Sequence, residues 1–75
     1  MKLVHGDRQY ISSFVEDRVD GFGGYELLRI HNGKQERVAT VIFWDAMGQF
    51  FVETFGDVPL KVLEALIDEA KSNLS

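Results

Sequence analysis

Seventy-five residues, 45% of them hydrophobic and 27% charged, describe a folded chain rather than a disordered one, with room for a single domain, residues 1–75. The absence of cysteine excludes disulfides and thiolate metal sites. The two histidines, His5 and His31, have no helix-spaced partner, so neither a metal nor a cofactor is expected. A net charge of −4 disfavours a phosphate-backbone binder, and no apolar run approaches the roughly 20 residues that cross a bilayer; with no signal-like segment after Met1, a cytoplasmic chain off the membrane is expected.

A scaffold this short needs a dense core or a partner for support. One Trp, two Tyr and six Phe supply large buried areas per residue. Arg8–Val19 alternates Ile11, Ser13, Val15, Asp17 and Val19 against Tyr10, Ser12, Phe14 and Glu16, which predicts a first strand, half-exposed or at the sheet edge. Asp20-Gly21-Phe22-Gly23-Gly24 is read as a loop, because closely spaced glycines favour turns; it lacks the lysine and following helix of a phosphate-cradling loop.

Tyr25–His31 and Arg37–Trp44 are the second and third strands. Asn32-Gly33 between them is the strongest short-range hairpin signal, since a type I′ turn needs positive φ at both central residues. That turn sets His31 opposite Lys34, Arg29 opposite Glu36, Leu27 opposite Val38 and Tyr25 opposite Thr40. The Arg29–Glu36 pairing of opposite charges agrees with this register. Val38–Trp44 is apolar on both sides, as a central strand is.

Asp45-Ala46-Met47-Gly48 forms the next turn, and Gln49–Phe55 the fourth strand. A four-residue loop puts Phe51 and Phe55 beside Ile42 and Trp44; a three-residue loop with a bulge puts Phe50 and Val52 there instead. Asp57 is placed to cap a helix and Pro59 to stand in its first turn. From Pro59 to Leu74, Leu60, Val62, Leu63, Leu66, Ile67, Ala70 and Leu74 recur at helical spacing, with Lys61, Glu64, Asp68 and Lys71 opposite.

The sequence thus predicts an α+β fold: a four-stranded antiparallel meander followed by one C-terminal amphipathic helix packed on one face. One helix covers one face only. The hairpin register gives one face Tyr25, Leu27, Val38, Ile42 and Trp44, and the other Leu28, Ile30, Ala39, Val41 and Phe43. Whichever face the helix takes, large apolar groups remain on the other, and such patches mark interaction surfaces.

No catalytic set emerges. Ser12 and Ser13 lie on a strand without a nucleophile elbow, and His31 flanks a solvated turn. Glu26 and Glu53 sit between apolar residues and would form an acid–base pair only if they shared a face, pairing with Arg29 or Arg37 being the plainer expectation.

The expected function is therefore a non-catalytic protein-interaction or homodimerisation module. Its expected interaction face is Tyr25, Leu27, Val38, Ile42 and Trp44, and its partner is a second copy or another protein. The competing expectation is single-stranded nucleic acid, stacked on sheet aromatics between Arg18, Arg29 and Arg37, which the net charge disfavours.

Overall fold

The computed structural model describes residues 1–74. Five strands run as an antiparallel meander, β1 (Lys2–His5), β2 (Arg8–Asp17), β3 (Phe22–His31), β4 (Lys34–Trp44) and β5 (Gln49–Thr54), in spatial order β1-β2-β3-β4-β5, and helix α1 (Leu60–Leu74) follows them. The α+β class is as the sequence predicts, with one strand more. The added strand is β1, paired so that Leu3 faces Tyr10 and His5 faces Arg8, which makes the strand from Arg8 internal and not an edge. Gly6-Asp7 makes its two-residue turn, and Gly6 holds φ +66°, which glycine adopts without penalty.

The β2–β3 turn is tighter than the sequence suggests. Asp17 pairs with Phe22, so only residues 18–21 connect the strands, and Gly23 and Gly24 lie inside β3. Asp17 builds this turn. Its Oδ1 accepts the amides of Val19 at 2.9 Å and Asp20 at 3.0 Å, and its carbonyl accepts Gly21 N–H at 2.9 Å.

Asn32 and Gly33 take φ values of +52° and +76°, as a type I′ turn requires. His31–Lys34 and Arg29–Glu36 pair as expected. Past Leu28 the register shifts: Leu27 faces Ala39, not Val38, and Tyr25 faces Val41, not Thr40. The extra residue is Val38, a β-bulge that puts Val38 and Ala39 on one face together. Both are buried in the core with Tyr10, Leu27, Val41, Val62, Leu66 and Ala70. The physical gain is that two adjacent residues are covered by the helix instead of one.

Across β4–β5 the four-residue loop holds. Phe51 pairs with Ile42, and Gln49 pairs with Trp44. Phe55 shares their face but lies at the far end, its ring 5.0 Å from the Arg37 guanidinium carbon.

Helix α1 buries Val62, Leu66 and Ala70, spaced four apart, against the sheet, with Leu63, Ile67 and Leu74 packed beside them. Pro59 precedes the helix, and its carbonyl accepts the amides of Val62 and Leu63, each at 3.0 Å. Asp57 contributes its backbone carbonyl, which accepts from Arg29 Nη1 at 3.0 Å and ties the helix entry to β3. At the other edge, the Met1 ammonium donates to Ser12 Oγ and to Glu69 Oε2, both at 2.9 Å.

Candidate functional site

The cross-strand pairs assign each side chain to a face. The helix side holds Leu3, Tyr10, Ser12, Tyr25, Leu27, Ala39, Val41, Phe43 and Phe50. The open side holds Ile11–Leu28–Arg37 and Gln9–Ile30–Gln35 at the Asn32-Gly33 end, so Leu28 and Ile30 are parted from Ala39, Val41 and Phe43, with which the predicted register grouped them. Toward the other end it holds three parallel rows, Ser13–Glu26–Thr40–Glu53, Val15–Gly24–Ile42–Phe51 and Asp17–Phe22–Trp44–Gln49. The Phe22 and Trp44 rings meet at 4.9 Å between centroids, tilted by 58°. Beside them a shallow depression of about 350 Å³ is lined by Thr40, Ile42, Trp44, Phe51, Val52 and Glu53. Phe51 remains 44% exposed.

The bulge divides the five residues predicted as one face. Leu27 and Val38 are fully buried under the helix. Tyr25 also lies on the helix side, where its hydroxyl accepts from Asn73 Nδ2 at 3.1 Å and its ring meets Phe14 edge-on at 5.6 Å. Only Ile42 and Trp44 point outward. The structure adds Phe22 and Phe51 to them. Phe22 was hidden in the sequence by its glycine neighbours, and the signal for Phe51 is the four-residue reading of the Asp45–Gly48 turn.

Gly24 keeps the middle row low. A β-carbon there would stand 2.2 Å from the Val41 carbonyl oxygen and 2.9 Å from Ile42 Cα, so β3 and β4 approach closely only because the position is glycine.

Glu26 and Glu53 do share the open face. Each pairs with Thr40, which is 8% exposed and lies between them. Glu26 faces Arg37, with Oε2 to Nη1 at 3.9 Å. The face thus carries acidic and basic groups side by side.

The three arginines are dispersed. Arg18 stands in the β2–β3 turn with Glu16 at 3.6 Å, Arg37 lies on the open face, and Arg29 lies on the helix side bound to Glu36. The hydrogen bond to Glu36 raises the Arg29 pKa, against the opposing effect of burial and with Tyr10 adding to the rise. On the same side burial pushes the Glu69 carboxyl up, but the Ser12 hydroxyl and the Met1 ammonium together outweigh it and hold its pKa below the ordinary value.

His31 Nδ1 stands 3.6 Å from Asp7 Oδ2, at the hairpin end. Among the described residues no three His, Cys, Asp or Glu side chains cluster as metal ligands, and no helix is long and apolar enough to cross a membrane. No family model matches the chain, and no curated protein or solved structure matches it.

Proposed function

We propose that this chain is a non-catalytic protein-interaction module that works as a homodimer, two copies packing through their open sheet faces. One observation carries the reading: α1 covers one side of the sheet, while the other presents Phe22, Ile42, Trp44 and Phe51 with no element over them among the described residues. Size supports it. The chain measures 39 × 21 × 18 Å, and its broadest face matches the roughly 800 Å² per partner that a standard stable interface buries.

Charge supports a second copy as the partner. Arg37 shares the face with Glu26 and Glu53, so a two-fold contact can set the basic group of one copy against the acids of the other.

The test is solution mass by light scattering after size exclusion, over a concentration series. Trp44→Arg and Phe51→Lys are each expected to lower the mass while far-UV circular dichroism stays unchanged. If both folded variants keep the wild-type mass at every concentration, the open face is not the contact.

A further inference from the structure

The outer edge of β5 points to a second contact, different in kind from the open face. Phe55 N–H donates to the Val38 carbonyl at 2.8 Å, which makes Phe55 and Val38 a hydrogen-bonded pair. Hydrogen-bonding direction alternates along an antiparallel strand. The same register continues through Thr40↔Glu53, Ile42↔Phe51 and Trp44↔Gln49, so those residues of β5 bond inward to β4. The backbone groups of Phe50, Val52 and Thr54 therefore point away from the sheet. β5 ends the strand order, and among the described residues nothing pairs with that edge.

Edges are normally blunted by shortness, lysine, proline, a bulge or a covering element. β1, at the opposite edge, has four residues with Lys2 among them. β5 has six, Gln49-Phe50-Phe51-Val52-Glu53-Thr54, with no lysine, proline or bulge, and Glu53 as its only charge. Exposed large apolar side chains also concentrate here: Met47, Phe51, Val52 and Phe55 are each 44% exposed or more.

We propose that β5 pairs antiparallel with β5 of a second copy about a two-fold axis, joining two five-stranded sheets into one of ten strands. An axis normal to the sheet keeps each face on its own side, so directly opposed residues must share parity and the axis passes midway between one residue and its own copy. Centred on Phe51, the pairing sets Phe51 against its own copy, Phe50 against Val52 and Gln49 against Glu53. Phe50 and Val52 then exchange both backbone hydrogen bonds on each side of the axis. Apolar meets apolar, and the one charge meets an amide. Centring on Val52 would set Phe51 against Glu53, the poorer match. This contact goes beyond the open-face reading, since it uses backbone groups that the face contact leaves free.

Val52→Pro removes one outward N–H and leaves the β4 ladder intact, because that N–H does not bond to β4. Val52→Lys charges the same edge and serves if the proline variant fails to fold. Light scattering of the 8.5 kDa chain is expected to show the folded Val52 variant at half the wild-type mass or less. In wild type, hydrogen exchange at Phe50, Val52 and Thr54 is expected to slow roughly tenfold or more as concentration rises, and not to slow in Val52→Lys.

Trp44→Arg run in parallel separates the two readings. If it lowers the mass and the Val52 variants do not, the face stands and the edge is refuted. If only the Val52 variants lower it, the edge stands and the face is refuted. Rapid, concentration-independent exchange at all three amides in wild type also overturns the edge pairing.

Discussion

Replacing Gly24 by alanine tests whether the close approach of β3 and β4 is as tight as the geometry implies. The new β-carbon would meet the Val41 carbonyl oxygen at 2.2 Å and Ile42 Cα at 2.9 Å, both backbone atoms that no rotamer change can move. Relief requires the strands to part locally by about 1 Å, which breaks ladder bonds near their 2.9 Å optimum. Overpacking costs about 1–3 kcal/mol, and each lost backbone bond adds about 1 kcal/mol. A loss of about 3 kcal/mol is expected, against a total of about 4–11 kcal/mol for a chain of this length. The melting temperature should fall by about 12–24 °C.

Gly23→Ala is the internal control. Its β-carbon would meet only Leu74 Cδ2, at an ordinary 3.8 Å, so alanine there should be neutral or stabilising by up to about 1 kcal/mol. Urea and thermal unfolding followed by circular dichroism measure both variants. Gly24→Ala within 1 kcal/mol of wild type, or Gly23→Ala as the more damaging change, would refute the reasoning.

Two further outcomes follow from the core and from the Met1–Glu69 contact. Leu66→Ala, at a fully buried helix position against the sheet, is expected to cost about 2–5 kcal/mol in urea unfolding, with a smaller loss if the helix settles into the gap. Glu69→Gln is expected to cost about 1 kcal/mol at neutral pH, since it removes the charge that the Met1 ammonium and Ser12 bind. Because the folded pKa of Glu69 is lowered, its contribution is present above the ordinary carboxyl value and is lost as pH falls through the folded one. The stability gap between wild type and Glu69→Gln, measured by urea unfolding across the acid range, should therefore close at low pH; a gap that widened on acidification would contradict the sign.

That one sheet face stays uncovered by the helix was legible, but not which residues make it up. Trp44 and Ile42 were readable as sharing one face because they alternate on a strand bounded by clear turns. Tyr25, Leu27 and Val38 were grouped with them for one reason: a register carried from Asn32-Gly33 past Leu28 assumes unbroken pairing, and Val38 interrupts it. β1 was missed because four residues are too few for a periodicity, although Gly6-Asp7 ahead of Arg8 is a two-residue hairpin signal in its own right. Gly24 looked like loop material. Its constraint comes from a carbonyl 17 residues away in sequence, which no local pattern reports.

Local chemistry alone determined the antiparallel meander, the Asn32-Gly33 turn with its first pairs, and the amphipathic helix with Val62, Leu66 and Ala70 inward, because turn dihedrals and side-chain periodicity are properties of short segments. Only the tertiary structure decided which residues share a face beyond Leu28, where the sheet ends, and which backbone groups are left pointing outward. The shared faces depend on a one-residue bulge at Val38, since a single added residue shifts every later side chain to the opposite side without altering the apolar pattern around it, and the edges depend on pairings between strands that no short segment reports.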